Sequence, residues 1–534
     1  MLTRVSWLIP TAILCSSHAA YAQQECENLV NLKLPYTLIT SSRSVPEGAA
    51  PAPAAPGAPP AGPGTVPAHC DVRGVTRPSR DSNIMFALWL PATSAWNAKY
   101  RQEGNGGWAG AINTASFAEP LRRGYAVAGT DTGHEGGGGA DWAIGHPEKL
   151  IDFGYRAVHE TAVQSKAIIR AFYGRDPERS YFAGCSDGGR EALMEAQRFP
   201  EDFNGILAGA PANNWSRLFT AFVWNERALL ATPDSAIPPA KLPVIQRAVM
   251  ASCDRLDGVA DGLIEDPRAC TFDPAVLVCT GADAADCLPK AQVDALRQIY
   301  DGPRNPRTQE PVFVGQPPGT EAVPGSWGLW ITPANAAGAI QFMFGNSYYG
   351  AAVFEDRNWN FRMLDFDRDV RIGDAKAGPV LNATSPDLRS FRASGGKLIQ
   401  YHGWGDAAIP APSSIEYYET VRAFLSKYPD ARAPGTPPTE DFYRLFLVPG
   451  MAHCGGGSGP NSFGNGGSGT ATGRDAQIGR ASCRERLVGA GRATDDPSKP
   501  LTRPLCPYPQ VAQYRGSGDV NDAANFACAA PSSR

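Results

Sequence analysis

The chain has 534 residues and a formal net charge of −4, and it is rich in glycine (57) and proline (47). This length exceeds what one ordinary hydrophobic core organises, so we predict a main domain with a large insertion. Lysine and arginine (49) do not outnumber aspartate and glutamate (53), and no basic run stands out, which excludes a nucleic-acid partner.

The N-terminal segment has the pattern of a signal peptide, predicted for residues 1–22. Arg4 precedes a mostly apolar stretch that runs from Val5 to Cys15, and Ala-Tyr-Ala at 20–22 forms a cleavage motif before Gln23. No later apolar run is long enough to span a bilayer. These features predict a protein exported to the periplasm or the medium, with no membrane partner.

The chain contains 12 cysteines, of which Cys15 lies in the signal segment, so an odd number remains after its removal. In an oxidising compartment this many cysteines predicts a disulfide framework. A Cys26–Cys70 bridge would close an N-terminal loop. Proximity along the chain favours three further pairs: Cys253–Cys270, Cys279–Cys287 and Cys506–Cys528.

Residues 23–212 have the pattern of the first part of an α/β core, with strands beginning at Asn83 and Tyr125. Between these strands lies a glycine-rich stretch, residues 104–110, which we call the glycine loop. Its spacing fits neither a dinucleotide-binding fingerprint nor a P-loop. In a hydrolase such a loop supplies a backbone N–H to an oxyanion, and we favour that role with Gly107 as the donor. A plain turn is the alternative.

The most informative stretch is the pentapeptide 184–188, which has the form G-x-S-x-G. A β-prone run, Ser180–Ala183, precedes it, and a segment of good helix formers follows it. This pattern predicts a strand, a tight turn and a helix, with Ser186 exposed at the turn and a helix N-terminus directed at any oxyanion formed there. We therefore interpret Ser186 as a nucleophile.

Beyond the next strand, 203–209, the alternation of strands and helices stops. Residues 213–388 contain four cysteines, many aromatic residues and few strand signals, which predicts an inserted lid domain. The alternation resumes in 389–534, where one strand precedes Asp406 and another precedes His453. The resulting chain order of serine, aspartate and histidine is that of α/β-hydrolases.

Acyl transfer requires a nucleophile activated by a base, and a buried acid that orients the base. Ser186, His453 and Asp406 meet these requirements by residue type, by order and by position after strands. The alternative is a glycine turn, a surface aspartate and a structural histidine. Other histidines could serve as the base, and one of them, His402, could instead line the pocket: His134, His146, His159 and His402.

Two cysteines adjoin these residues, because Cys185 precedes Ser186 and Cys454 follows His453. If the serine and the histidine meet, the two thiols are brought close together. A Cys185–Cys454 disulfide would then tie the nucleophile turn to the base. Catalysis by Cys185 itself is disfavoured, because a thiol in an exported cysteine-rich protein becomes oxidised.

Four segments together resemble the tannase/feruloyl esterase family, which also contains bacterial mono(2-hydroxyethyl) terephthalate hydrolases: 184–190, 199–212, 402–406 and 453–454. The resemblance implies an α/β-hydrolase core with a lid, and a serine esterase that acts on esters of aromatic carboxylic acids. It assigns the catalytic roles to Ser186, Asp406 and His453, and the oxyanion hole to the backbone N–H groups of Gly107 and Asp187.

The predicted lid contains three carboxylates within eight positions, 254–261. Such oxygen ligands suit Ca²⁺, although a solvated acidic turn is the usual alternative and the spacing is not that of an EF-hand. The resemblance favours a structural Ca²⁺ that holds the lid. Its ligands would be the carboxylates of Asp254, Asp257 and Asp261 and the carbonyls of Val259 and Leu263.

An aromatic-rich stretch, 327–359, is predicted to form the pocket for the acid part of the substrate. Its rings could stack on the substrate or serve packing alone: Trp330, Phe342, Phe344, Tyr348 and Tyr349. A terephthalate monoester would also require a cation for its free carboxylate. Two alternatives to a phenolic-acid esterase are therefore a terephthalate monoester hydrolase and a non-catalytic ligand-binding protein on the same fold.

One segment, 478–487, departs from the family pattern. It contains Cys483, the cysteine for which the family offers no partner. Nothing in the catalytic assignment depends on this segment.

Overall fold

The computed structural model describes residues 24–49, 51, 64–332, 338–428, 439–459, 487–493 and 500–531. The predicted signal peptide, 1–22, and Cys483 lie outside these ranges. Within the described ranges, no helix combines the length and the apolar character needed to cross a membrane.

A nine-stranded sheet forms the centre of the molecule, in the order β1-β2-β3-β5-β4-β6-β7-β8-β9. Strands β1, β2, β3 and β5 pair antiparallel, whereas every pair from β5 through β4 to β9 is parallel. The strand bounds are β1 Thr37–Val45, β2 His69–Thr76, β3 Ile84–Pro91, β4 Lys99–Glu103, β5 Ala126–Thr130, β6 Arg179–Cys185, β7 Gly205–Gly209, β8 Lys397–Gly403 and β9 Tyr443–Val448.

Strand β4 is a strand that the sequence did not indicate. It is only five residues long, and its sequence Lys-Tyr-Arg-Gln-Glu has no apolar run. It is nevertheless buried between β5 and β6, because Arg101 and Glu103 pair with each other at 2.5 Å and so neutralise their charges inside the sheet.

Helices cover both faces of the sheet, and the longest, α3, shows why they form where they do. Its apolar and small residues recur at helical spacing and are buried, and it ends where Gly174 adopts a φ of 74°. The helices of the described residues are α1 Ala118–Arg122, α2 Pro147–Ile151, α3 Ala157–Tyr173, α4 Asp187–Arg198, α5 Trp215–Leu229, α6 Leu242–Cys253, α7 Lys290–Asp301, α8 Trp327–Trp330, α9 Ile340–Ser347, α10 Arg368–Lys376, α11 Gly378–Leu381, α12 Arg389–Ala393 and α13 Pro412–Lys427.

The predicted lid, 213–388, lies within the long connection from β7 to β8. In its described parts this connection forms helices and turns and contributes no strand to the sheet. Its first helix, α5, packs on the glycine loop, where the rings of Trp108 and Trp215 lie 5.0 Å apart. A shared aromatic core therefore joins the insertion to the loop that we interpret as part of the oxyanion hole.

The C-terminal part adds two small sheets outside the central one, β10 (Leu487–Ala493) with β11 (Pro500–Leu505), and β12 (Val511–Tyr514) with β13 (Phe526–Ala529). The described ranges contain five disulfides, with Cα–Cα distances between 5.0 and 5.8 Å. They join the five expected pairs: Cys26–Cys70, Cys185–Cys454, Cys253–Cys270, Cys279–Cys287 and Cys506–Cys528.

Candidate active site

Ser186 is the single residue between the end of β6 and the start of α4, and its backbone has φ +67° and ψ −120°. This positive φ is strained for a residue with a side chain, and a strained strand-to-helix turn is the geometry expected around a nucleophilic serine. The turn is tight: a methyl group on Gly184 would lie 2.4 Å from the carbonyl oxygen of Gly188. The structure thus places Ser186 at the carboxyl edge of the sheet and at the N-terminus of a twelve-residue helix.

Asp406 follows β8 and His453 follows β9, and the two side chains meet. The Nδ1 of His453 lies 2.8 Å from Oδ2 of Asp406, while Oδ1 of Asp406 accepts hydrogen bonds from the backbone N–H groups of Ala408 and Ile409. Burial alone would raise the pKa of Asp406, but His453 and His402 together hold that pKa below its usual range. An ionised Asp406 therefore fixes Nδ1 of His453 as the donor and leaves the role of base to Nε2.

Two backbone contacts join the loops that carry the acid and the histidine. The N–H of Gly405 donates to the carbonyl of Met451 at 2.8 Å, and the N–H of Trp404 donates to that of Val448 at 2.9 Å. A methyl group on Gly403 would lie 2.3 Å from the same Met451 oxygen, so only glycine permits this approach. The sequence His-Gly-Trp-Gly-Asp thereby sets the distance between acid and base.

The Cys185–Cys454 disulfide connects the nucleophile turn with the histidine. Its Cα atoms are 5.8 Å apart although the two cysteines are separated by 269 positions in the chain. Because Cys185 precedes Ser186 and Cys454 follows His453, the bridge holds these two residues on adjoining loops. A covalent link between the turn of Ser186 and the loop of His453 therefore supplements the noncovalent packing of the site.

The glycine loop packs against the N-terminus of α4. The carbonyl of Asn105 accepts a hydrogen bond from the N–H of Gly188 at 2.9 Å, and the carbonyl of Trp108 lies 2.6 Å from Nε2 of His134. Gly107 has a φ of +59°, which favours glycine. The loop of Gly107 and the helix start at Asp187 therefore adjoin at the edge of the sheet where Ser186 stands.

One interpretation of the sequence placed His402 in the lining of the pocket, and the structure shows that this is wrong. It is fully buried on β8, where its Nε2 lies 3.3 Å from Asp406 and its Nδ1 lies 2.7 Å from the hydroxyl of Ser414. It therefore supports the acid. The remaining candidate bases have partners elsewhere: His134 at Trp108 and Trp142, His146 at Asp81, and His159 at Asp202 and Phe199.

Two aromatic side chains of the insertion reach the site. The ring of Trp330 meets that of His453 edge to face at 4.9 Å, and Phe344 lies 6.4 Å from Trp330. A methyl group on Gly107 would lie 3.3 Å from Cζ of Phe344. The other three rings of the predicted pocket are buried in packing clusters: Phe342, Tyr348 and Tyr349.

The carboxylates predicted to bind Ca²⁺ lie on one loop. Burial and the nearby charge of Asp261 raise the pKa of Asp257 to about 6, and Asp261 pairs with Arg503. Each carboxylate accepts a hydrogen bond from a backbone N–H later in the loop. Asp254 accepts from Gly262, Asp257 from Val259 and Asp261 from Leu263. Among the described residues, no three Asp, Glu, His or Cys side chains converge as a metal site. The all-oxygen donors and their mutual repulsion do fit a hard cation.

An ion pair beneath the nucleophile was not recognised in the sequence. Asp187 and Arg190 are both fully buried and lie 2.7 Å apart, and the guanidinium also lies over the ring of Trp215 at 5.1 Å. Arg190 further donates to the carbonyls of Phe153 and Gly154. The i,i+3 spacing of opposite charges in the predicted helix could have indicated this pair.

Comparison with known proteins shows to which family this chain belongs. The model of the family described as "Tannase and feruloyl esterase" matches residues 70–529. The chain belongs to the tannase and feruloyl esterase family. It is therefore a carboxylic ester hydrolase that acts on small-molecule esters.

Several members of the tannase and feruloyl esterase family are similar to this chain over most of their length. An uncharacterized esterase of Xanthomonas campestris is 42% identical, covering 95% of this chain and 92% of that protein. The mono(2-hydroxyethyl) terephthalate hydrolase of Piscinibacter sakaiensis is 33% identical, covering 87% and 85%. The crystal structure of feruloyl esterase B from Aspergillus oryzae superposes with a TM-score of 0.82 at 27% identity, covering 94% and 99%. The predicted α/β-hydrolase fold is thus confirmed.

Proposed function

We propose that this protein is a serine esterase that cleaves esters of aromatic, phenolic acids through an acyl-enzyme on Ser186. The observation that carries the proposal is the hydrogen bond between His453 and Asp406, since the Cys185–Cys454 disulfide connects the loop of His453 to the turn of Ser186. A serine in a strained turn, a base with a defined tautomer and a buried acid are the parts that acyl transfer requires.

In this mechanism the Oγ of Ser186 attacks the ester carbonyl while Nε2 of His453 accepts its proton. The backbone N–H groups of Gly107 and Asp187 donate to the oxyanion of the tetrahedral intermediate. His453 then protonates the departing alcohol, and an acyl-enzyme remains. A water molecule, deprotonated by the same histidine, releases the acid and restores the serine hydroxyl.

The preference for an aromatic acid rests on Trp330 and Phe344. Both rings adjoin the reacting groups, one at His453 and the other at Gly107, and neither carries a charge. Flat apolar surfaces beside the acyl position suit a phenolic ring. A terephthalate monoester, the substrate in the name of one relative, would place a free carboxylate against this surface, where a cation would suit it better. We therefore favour the phenolic acyl group.

A trapping experiment tests the function and the acyl preference together. The enzyme is mixed with methyl ferulate, quenched in acid within milliseconds and digested, and the peptide containing Ser186 is expected to carry a feruloyl group. We expect kcat/KM for methyl ferulate to exceed that for its ring-saturated analogue by about three- to tenfold, because the saturated ring is not flat and cannot stack on Trp330 and Phe344. A feruloyl group on any other residue, or equal rates for the two esters, would contradict the proposal. The terephthalate monoester, assayed in parallel, tests the alternative.

Export is part of the proposal, for two independent reasons. The N-terminal segment has a positive residue, an apolar stretch and an Ala-Tyr-Ala cleavage motif. The five disulfides of the described residues would persist only in an oxidising compartment.

We also propose that the acidic loop of the insertion binds a structural Ca²⁺ through Asp254, Asp257 and Asp261 and the carbonyls of Val259 and Leu263. The ion would supply positive charge to carboxylates that now repel one another, and Asp261 would exchange Arg503 for it. The chemistry of ester cleavage is carried by the triad and does not pass through this loop.

Removal of calcium is expected to lower the melting temperature by about 2–3 °C, because an ion that binds only the folded state stabilises it by about 2–3 kcal/mol near saturation, and the unfolding entropy of a chain this long is about 1 kcal/mol per kelvin. Calorimetry with EGTA and then with excess Ca²⁺ measures the shift. The Asp257→Asn variant should lose the response. Asp294→Asn, a substitution at an exposed carboxylate of α7, should retain it. An unchanged melting temperature in EGTA argues against the ion.

A further inference from the structure

A buried glutamate joins the glycine loop to the helix that follows the nucleophile. Glu191 lies on α4 and is 1% exposed, and its Oε2 accepts a hydrogen bond from the backbone N–H of Asn105 at 2.9 Å. Its second oxygen, Oε1, is buried and has no hydrogen-bond partner among the described residues. A buried carboxyl oxygen in this state is unusual and calls for an explanation.

The backbone of Asn105 makes two hydrogen bonds to α4, and the bond to Glu191 is one of them. Asn105 donates its N–H to Glu191 and accepts, through its carbonyl, the N–H of Gly188 at 2.9 Å. Glycine at 104 permits the approach, since a methyl group there would lie 2.8 Å from Cα of Gly188. Gly107 is two positions after Asn105, and Asp187 immediately precedes Gly188. Both donors of the proposed oxyanion hole therefore adjoin these two bonds.

The charges around Glu191 favour its neutral form. Asp187 is four positions earlier, on the same face of α4, and its Oδ1 holds Arg190 while its Oδ2 has no hydrogen-bond partner among the described residues. Burial, and then the charge of Asp187, raise the pKa of Glu191 to about 8, although Arg190 opposes this. Glu195 is a further buried acid one turn later. On β4, beside the glycine loop, Glu103 is paired with Arg101.

We propose that Glu191 is a positioning residue for ester hydrolysis: its neutral carboxyl anchors the glycine loop to α4 and so aligns the oxyanion donors of Gly107 and Asp187. The proposal rests on the catalytic function given above. A neutral carboxyl accepts from Asn105 through one oxygen and carries a proton on the other. An acceptor for that proton is available one helical turn earlier, because Oδ2 of Asp187 is buried and has no hydrogen-bond partner among the described residues.

Ionisation of Glu191 would place a second negative charge beside Asp187 with only Arg190 to balance both. The two carboxylates would then repel each other. This repulsion would displace the glycine loop and the start of α4, which supply the oxyanion donors. These donors act on charge that develops only in the transition state. Loss of the anchor should therefore lower kcat and leave KM nearly unchanged.

The pH dependence of kcat tests the proposal on the full-length enzyme. In the wild type, kcat is expected to fall about tenfold between pH 7 and pH 9, as a group with a pKa of about 8 ionises. The E191Q variant keeps one acceptor and one donor and cannot ionise, so its kcat should be within about threefold of the wild type at pH 7 and should lack this fall. The E191A variant should lose about 10²-fold in kcat at pH 7.

A matched control is available on the same helix. Glu195 is also 1% exposed and its pKa is also raised by burial, but it lies one turn farther from the glycine loop. The E195Q variant should keep the alkaline fall of the wild type. Should E191A not fold, the comparison of E191Q with E195Q decides by itself.

Two results would overturn the proposal: an alkaline fall in E191Q identical to that of the wild type, or a change confined to KM. A purely structural role would alter the free energy of unfolding without altering the pH profile of kcat. Failure of the catalytic function itself is distinguishable, because it would appear as the absence of a feruloyl group on Ser186 in the wild type at pH 7.

Discussion

Replacing Ser186 by alanine is expected to lower kcat by about 10⁶-fold, to a rate that only long incubations can detect. Loss of a nucleophile from a serine triad removes the covalent pathway, and what remains is the stabilisation of the oxyanion and the binding of substrate. The hydroxyl is half-buried at a backbone turn that is already strained, so its removal should not weaken the fold. Binding of the aromatic acid should be retained.

The same experiment separates an esterase from a ligand-binding protein on this fold. Hydrolysis of methyl ferulate by the wild type, lost in the alanine variant, excludes the second. The control is Ser180→Ala, which removes a hydroxyl from the same strand, β6, and should leave kcat within about twofold. A fluorophosphonate probe should label the wild type at Ser186 and fail to label its alanine variant. Residual activity above about 1% would show that Ser186 is not the nucleophile.

Replacing Asp406 by asparagine is expected to lower kcat about 10⁴-fold, with the backbone geometry unchanged. The amide can still accept N–H groups from Ala408 and Ile409, but it no longer stabilises the protonated ring of His453 and it allows the wrong tautomer. Steady-state kinetics at pH 7 measures the loss. The control Asp387→Asn changes an aspartate that is paired with Arg389 at the surface, and it should be nearly neutral.

Stability should change with pH in a defined direction in this variant. Because the folded-state pKa of Asp406 is lowered, its ionised form stabilises the fold above the unfolded-state pKa of about 4, and this contribution is lost as pH falls through the folded-state value. The free energy of unfolding of Asp406→Asn should therefore lie furthest below that of the wild type at neutral pH, and the two free energies should converge in acid.

In the kinetic experiment on the same variant, a loss of less than tenfold in kcat would assign the orienting role to another group.

Local patterns in the sequence were enough to predict that Asp406 and His453 would meet, and that the turn of Ser186 would lie at the same edge of the sheet. The stretch 184–188, the strand before Asp406 and the strand before His453 each place a polar residue after a buried strand. In a parallel sheet the carboxyl ends of strands share one edge, so three strand ends predict one site. The same reasoning extends to Cys185 and Cys454, which adjoin Ser186 and His453 in the chain and are bonded in the structure.

The composition of the aromatic stretch could not indicate which rings would face the substrate. Trp330 and Phe344 adjoin His453 and Gly107, whereas Tyr348 and Tyr349 are fully buried among other rings. All four are large and mostly apolar, and both packing and stacking favour such side chains. Their placement depends on how the insertion seats on the glycine loop, a contact between segments far apart in the chain.

The α/β class, the order of serine, aspartate and histidine, and the cysteines that pair could thus be predicted, because strands, turns and the neighbours of Ser186 and His453 are recognisable in the sequence. Features that depend on burial among distant segments could not be predicted in this way and are visible only in the folded chain. Burial of the polar strand β4 depends on the ion pair between Arg101 and Glu103. The contact of His402 with Asp406 likewise forms only in the folded chain. The proposed role of Glu191 arises only when the glycine loop packs on α4, because the protonation state of a buried carboxyl depends on the groups around it.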